Sequence, residues 1–339
     1  MRISSSLLIL ALAAACSSSD DGGGDSGDTA DQADAGYGDS YTIEWGPITV
    51  EPTTEDTRCV VKRVGNDAPI RVGQFVNNLG SASHHLIVYR VADTTEQPEP
   101  FPCDPFVDVL DPTRGGPLAI TQKAEETISL PPGVAYSLAA DQMVRIEMHY
   151  INTGDEPIEV RATTTLVEIP DADFQHEADF LFVGNVDVEV PPRQPVTLGP
   201  RFLPLPADLA GINIFAITGH EHHWGTGVNV AMGASEEGPH ETVYAPDPFY
   251  WNEPETVYHD PPLAMPANGG FNFSCDYYND SGETVGFGES ANDEMCFFWA
   301  YYYPSVGPKV CAHTDEFGGL NVCCPGDALC AYLDDYLDN

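Results

Sequence analysis

From Tyr41 onward the chain is a succession of short apolar or alternating runs, each closed by turn residues. His85–Val91, Val144–Ile151 and Phe297–Tyr303 are nearly continuous apolar runs, while Glu159–Glu168 alternates polar and apolar and is rich in β-branched residues. Phe180–Val190, Ile212–Thr218 and Val228–Met232 complete the set. Asn152-Thr153-Gly154-Asp155, Pro191-Pro192 and Asn268-Gly269-Gly270 separate these runs and carry the residue types that turns require. No long 3.6-residue period precedes the last thirty residues or so. Many short strands with turns between them predict an all-β chain of antiparallel sandwiches.

A polar break at Pro170-Asp171-Ala172-Asp173 follows a strand-like run and predicts two bodies, 41–170 and 171–310, with a Cys-rich acidic tail over 311–339. Residues 17–40 are Ser, Gly and Asp with almost nothing apolar, which predicts an unstructured acidic tether. Before it, Met1-Arg2 and the apolar run Leu7–Ala15 end at Cys16 and read as a signal peptide. Ala13-Ala14-Ala15-Cys16 looks like a bacterial lipobox with Ala13 in place of the usual Leu, so Cys16 is the expected lipidation site. Ser17, not Asp, follows it, which directs the expectation to the outer membrane of the cell envelope. The apolar run is too short to span a bilayer and no other stretch is long enough, so membrane contact is expected only through the lipid anchor.

Composition narrows the function. The 339 residues are 42% hydrophobic, enough for a sizeable core, and 31 Gly with 29 Pro favour a turn-rich fold. With 13 basic against 53 acidic residues the formal charge is −40. Nucleic-acid binding is excluded, because phosphate recognition needs clustered Lys and Arg. Nine cysteines minus Cys16 leave eight, Cys59, Cys103, Cys275, Cys296, Cys311, Cys323, Cys324 and Cys330, an even number that in an exported chain predicts up to four disulfides.

The ten histidines are unevenly placed. His84-His85 open a strand-like run, His149 lies in Glu147-Met148-His149-Tyr150, and His220-Glu221-His222-His223 follows an apolar strand. Residues i and i+2 of a strand share a face, so His220 and His222 can reach one metal ion. The adjacent pair His84-His85 can do so only if the backbone bulges or the pair sits at a strand end. Met295, in Asp293-Glu294-Met295-Cys296, is by itself an ordinary core residue. Beside imidazoles, however, a thioether completes a ligand set that selects copper, since soft sulfur favours Cu(I).

In this order and spacing, His84-His85, His149, His220-Glu221-His222-His223 and Asp293-Glu294-Met295-Cys296 with its Tyr-Tyr-Pro ending resemble the copper type II, ascorbate-dependent monooxygenases, over roughly residues 45 to 305. That family includes peptidylglycine α-hydroxylating and dopamine β-monooxygenases. The resemblance implies two tandem antiparallel jelly-roll-like sandwiches with one copper ion each. His84, His85 and His149 then correspond to the ligands of an electron-transfer copper, and His220, His222 and Met295 to those of the oxygen-activating, catalytic copper. His223 matches a further family His that is not a ligand. Also implied are O₂, ascorbate as reductant, hydroxylation of a C–H bond, and electron transfer across a solvent-filled gap between the domains. The family pairing of the Cys after the Met ligand implies Cys275–Cys296. Cys59 and Cys103 flank the first His pair and are expected to bridge. Adjacent Cys323 and Cys324 are expected to pair outward, and a thiolate metal site in the tail is the other reading of those cysteines.

The chain departs from the peptide-amidating members. Where they carry a substrate-binding Arg, two residues before the first His of the His-x-His, this chain has Thr218, and where they carry Asn and Tyr after the Met it has Phe297 and Trp299. Peptide amidation is therefore not expected. The Phe297-Phe298-Trp299 run fits either an apolar or aromatic small substrate or plain packing of the sandwich. Gly288–Asn292 lacks the second Gly of a nucleophile elbow, no phosphate-binding or dinucleotide loop occurs, and the acidic tether does not match a calcium loop. Two other readings share the fold: a copper-holding surface lipoprotein without catalysis, and a purely structural or adhesive sandwich. His176, His240, His259 and His313 suggest no role beyond solvated or structural histidines.

Overall fold

A computed structural model describes residues 36–80, 83–103, 115–315, 318–327 and 329–330. The expected signal peptide, Cys16, most of the tether and the last residues of the tail lie outside this set. The described chain is built of β-strands, with a short 3-10 turn at Ala207–Leu209. No helix among them is long and apolar enough to cross a membrane.

The first eleven strands are β1 (Ser40–Val50), β2 (Thr54–Arg63), β3 (Ile70–Asn78), β4 (Ser83–Val91), β5 (Gln97–Pro102), β6 (Gly115–Thr121), β7 (Glu125–Ser129), β8 (Val134–Leu138), β9 (Met143–Asn152), β10 (Ile158–Glu168) and β11 (His176–Glu177). They form two sheets, β1-β10-β3-β8-β11 with β7 beside β3, and β5-β2-β9-β4-β6. The remaining strands are β12 (Asp179–Asn185), β13 (Glu189–Val190), β14 (Pro195–Pro204), β15 (Asn213–His220), β16 (Gly225–Gly233), β17 (His240–Tyr244), β18 (Thr256–Ala264), β19 (Gly270–Tyr278), β20 (Val285–Gly286), β21 (Cys296–Tyr303), β22 (Lys309–Thr314) and β23 (Leu320–Cys324). They build β18-β15-β21-β12-β22-β23, β14-β19-β16-β17 and the short pair β13-β20. No strand up to Glu177 pairs with one from Asp179 onward.

Two expectations meet a different arrangement. The run Phe180–Val190 divides into β12 and β13, because the Asn185 side chain accepts from the Asp187 N–H and turns the chain. The Cys-rich tail expected from 311 onward shares its first strands with the body before it: β22 runs parallel to β12 and β23 closes the edge of the same sheet.

The sheet containing β21 is buried on both faces, and its side chains alternate strictly. Phe297, Trp299 and Tyr301 face the core shared with the first two sheets, while Cys296, Phe298, Ala300 and Tyr302 face the core shared with β16 and β19. Burying each such aromatic is worth roughly 1.5–3 kcal/mol. The aromatic run is thus packing and not a substrate wall: Phe297 stacks on Phe182 with ring centroids 4.8 Å apart. Gly184, opposite Phe297, is required there, since a Cβ would lie 2.0 Å from the ring.

Four disulfides pin these layers. Cys59–Cys103 ties β2 to the end of β5, and Cys275–Cys296 ties β19 to β21 beside Met295. Cys311–Cys323 and Cys324–Cys330 take up the adjacent pair outward, so none of the eight is a thiolate ligand.

Candidate metal centre

Strand register builds the first histidine set. β4 and β9 are antiparallel neighbours with His85 directly opposite His149. The register shifts between Ser83 and His85, a bulge that carries His84 to the same side as His85. One ligand atom from each of His84, His85 and His149 fits in a group whose members lie within 4.8 Å of one another, and all three residues are buried. Ring centroids are 5.1 to 5.4 Å apart.

The second set sits at strand ends. His220 is the last residue of β15, opposite Phe297 of β21, and His222 is two residues beyond, with its ring centroid 5.0 Å from that of His220. Met295, buried, immediately precedes β21. One carboxylate joins these pieces. Glu294 accepts from the backbone N–H of His222 (2.9 Å), Trp224 (2.7 Å) and Met295 (3.3 Å). Tyr277 donates its hydroxyl to the Met295 carbonyl at 2.7 Å. Glu221 points the other way and accepts from Gly227 N–H; Gly225 leaves it room, because a Cβ there would lie 2.4 Å from its Oε2.

Four imidazoles each have one ring nitrogen engaged by an outer group. His85 Nε2 lies 3.3 Å from Glu147 Oε1, whose other oxygen accepts from Tyr89 OH. His149 Nε2 is 3.0 Å from Glu55 Oε1. His220 Nδ1 is 3.1 Å from Gln122 Oε1, and His222 Nδ1 is 3.3 Å from the Asp293 carbonyl. The fifth, His84, has a buried Nε2 with no hydrogen-bond partner. An outer carboxylate or carbonyl on one nitrogen, with the other directed inward, is how metal-ligating histidines are held. Burial, reinforced by the neighbouring imidazoles, lowers the pKa of His84, His85 and His220 well below the ordinary value and that of His222 to about 3. The rings are neutral, the form that binds a metal ion. Neutral imidazole donors suit copper among other transition metals, and a thioether added to such a set favours copper.

Among the described residues no wide gap separates the two histidine sets, unlike the arrangement the resemblance implies. The His84 ring lies 5.5 Å from that of His222 and 6.0 Å from that of His220, and each of the five residues is at most 4% exposed. The two halves meet over shared apolar surface, in which Met295, Phe297 and Trp299 belong to the same core as Val88 and Ile146. Polar ties reinforce it: Gln122 to His220, Glu126 to Thr256, and the Tyr301 hydroxyl to the Ile120 backbone. Trp251 packs on the His84 ring at 5.7 Å and on His223 at 5.6 Å.

His223 is exposed and packs on Trp224. Thr218 bonds Thr256 within the sheet and forms no anion clamp. His176 stacks on Tyr303, and His240 bonds the Ser235 carbonyl. His259 is half-buried. His313 gathers with Asp187 and Asp315 within 4.8 Å, but Asn321 takes its Nδ1, Arg201 pairs with both Asp315 oxygens and Thr314 donates to Asp187. That group is satisfied as an ion-pair network. Glu55, Gln122 and Trp251 were invisible to motif reading; Glu147, two residues before His149 on the same face, and Glu294, beside Met295, lie within the motifs read from the sequence.

Among solved structures, PNGase F, a glycosylasparaginase from Flavobacterium meningosepticum, is similar at 12% identity and TM-score 0.32, over 78% of this chain and 95% of that one. The cowpea mosaic virus top component is similar at 10% identity and TM-score 0.29, over 76% and 90%. At these scores neither likeness bears on fold or function. Residues 202–318 match the family model described as copper type II ascorbate-dependent monooxygenase, C-terminal domain, a span that includes His220, His222 and Met295. Over that span, about a third of the chain, the sequence is similar to the C-terminal domain of the copper type II ascorbate-dependent monooxygenases.

Proposed function

We propose that this protein is a copper-dependent monooxygenase that uses O₂ and a reductant such as ascorbate to hydroxylate a C–H bond of a small or exported substrate. His84, His85 and His149 would hold one copper ion and His220, His222 and Met295 the other. Bound copper would supply one-electron redox chemistry and O₂ activation. The observation that carries this reading is the pairing of ring nitrogens. In both sets an outer carboxylate, amide or carbonyl engages one nitrogen of an imidazole, the way metal-ligating histidines are held, and the second set lies within the matched family domain.

The chain's own residues have distinct tasks. Glu147 and Glu55 fix the rings of His85 and His149, and Gln122 and the Asp293 carbonyl fix those of His220 and His222. Burial keeps His84, His85, His220 and His222 neutral, and ring centroids 5.5 Å apart at His84 and His222 set the two groups of donors side by side. The four disulfides support an exported location, and Cys16 would supply the lipid anchor in the cell envelope.

Metal stoichiometry after copper loading and desalting tests this directly, with His85→Ala and His222→Ala alongside. Two coppers per chain, one lost in each variant, are expected. Ascorbate-dependent O₂ consumption that disappears in Met295→Ala would then establish the redox step. Zinc alone, or less than one copper unaffected by either substitution, overturns the reading. Two coppers without any coupled hydroxylation identify a copper-holding protein instead.

A further inference from the structure

Glu55 occupies a position that copper ligation alone does not need. It lies on β2, two residues before Thr57, which pairs with His149 across the sheet. Residues two apart on a strand share a face, so the Glu55 side chain reaches His149 diagonally, at 3.0 Å. The same carboxylate also leaves its own half of the molecule. Oε1 accepts from the Ala291 backbone N–H at 2.8 Å, and Oε2 accepts from the Ser290 hydroxyl at 3.2 Å.

Ser290 and Ala291 form the tip of the loop between β20 and β21, the loop that delivers Met295. Within it Asp293 N–H donates to the Ser290 carbonyl at 2.8 Å, and Asn292 N–H donates to the Ser290 hydroxyl at 3.2 Å. Asp293 and Glu294 then hold His222 by its ring and its backbone. A continuous series of hydrogen bonds therefore runs from His149 through Glu55 and the loop tip to His222 and Met295.

We infer that Glu55 is a strut that couples the two histidine sets, so that the order of the Met295 loop depends on how His149 is held. Glu55 is a positioning residue. With its carboxylate fixed on His149, both oxygens are oriented to receive the loop. When His149 is lost or turns away, the carboxylate regains rotamer freedom and the loop tip loses its anchor. Two sites that share such an element must influence each other's affinity reciprocally. The strut stands on geometry alone; its consequence for copper rests on the proposed function.

Amide hydrogen exchange on the copper-free protein tests the strut. In Glu55→Ala, exchange at Ala291 and Asp293 should accelerate roughly tenfold or more, with strands β19 and β21 unchanged as the folding control. His149→Ala should accelerate the same amides by a smaller factor, although His149 touches neither. Glu55→Gln should stay near the wild-type rate, because its amide oxygen still accepts. Unchanged exchange at Ala291 in Glu55→Ala, or in His149→Ala, overturns the strut.

Copper titration tests the coupling. Copper affinity at the His220, His222 and Met295 site is compared with the three-His site intact and removed by His85→Ala, in both the Glu55 and Glu55→Ala backgrounds. A ratio of about 5- to 100-fold with Glu55, falling to one in Glu55→Ala, is expected. An equal ratio in both backgrounds overturns the coupling. Failure of either site to take copper at all overturns the proposed function, and hydrogen exchange still decides the strut.

Discussion

The two histidine sets are positioned by different means. His84, His85 and His149 come from adjacent strands in one sheet, and the cross-strand pair His85–His149 with its one-residue bulge fixes their spacing. His220, His222 and Met295 come from a strand end, a turn and a loop, and what gathers them is a single carboxylate, Glu294. A backbone ladder tolerates loss of any one side-chain contact. A site assembled on loops has the strength of its polar anchor.

Glu294→Ala is the strongest test of that difference. It removes the acceptor of three backbone N–H groups in a buried setting, at roughly 1–3 kcal/mol each before any water compensates. A loss of about 3–5 kcal/mol in denaturant unfolding is expected, together with loss of copper from the second site and retention at the first. Copper lost equally from both sites would show that the two sets do not differ in this way.

Glu147→Ala applies the matching change to the first set. Glu147 is fully buried and holds His85 and Tyr89. Its removal should cost about 2–3 kcal/mol and weaken copper binding at the three-His site about 10- to 100-fold. The site should persist, because the ladder between β4 and β9 still sets the spacing of His85 and His149. Complete loss of copper there would mean that register contributes less than the carboxylate.

This contrast also separates what the sequence made legible from what it hid. Short apolar or alternating runs closed by turn residues placed β4, β9, β10, β15, β16 and β21 to within a few residues, because such runs lie on sheets buried on one or both faces. The bulge that His84-His85 demands is present, since steric necessity was already explicit in the adjacent pair. Glu55 and Gln122 stayed hidden for a physical reason. Their contacts to His149 and His220 span 94 and 98 residues, and nothing in the sequence around either residue marks it as an outer partner. The closeness of the two sets was hidden too, because it arises from packing of one half on the other. Likewise, Phe297 and Trp299 satisfied two readings until the sheet containing β21 proved to be covered on both faces.

Asp179 probes the passage between the halves, at the first residue of β12. Burial pushes its carboxyl from the ordinary 3.8 up to about 6, against hydrogen bonds from Ser305 Oγ and Phe180 N–H that favour the charged form. Arg90 lowers it, Glu177 raises it, and Tyr136 and Tyr302 lie nearby. The folded pKa exceeds the unfolded one, so the stabilisation from this proton is complete below about pH 4 and is lost as pH rises through about 6. At pH 7 the ionised group is a net cost on the order of 3 kcal/mol. Asp179→Asn should therefore raise Tm at pH 7 and much less at pH 4.5, by thermal unfolding at both. An equal change at both pH values would show that the hydrogen bonds outweigh burial.

The smallest effect is expected at Trp251, where the contrast between strand and loop reaches the first set from outside. The His84 ring of that set packs against a loop of the other half, and Trp251 is only half-buried beside the exposed Tyr250. Around Trp251 the turn is fastened by the Glu253 N–H to the Tyr250 carbonyl at 3.2 Å and, further along, by the Tyr244 hydroxyl to the Glu255 carbonyl at 3.0 Å. Removing the indole opens no core, so Trp251→Ala should cost about 1 kcal/mol or less. It should nevertheless uncover His84, and a Cu(I) chelator should strip the three-His site roughly severalfold faster while its equilibrium affinity stays near wild type. Equal stripping rates would mean that the sheet alone shields His84. A fall in affinity without a change in rate would mean that the indole orients the ring and does not merely cover it.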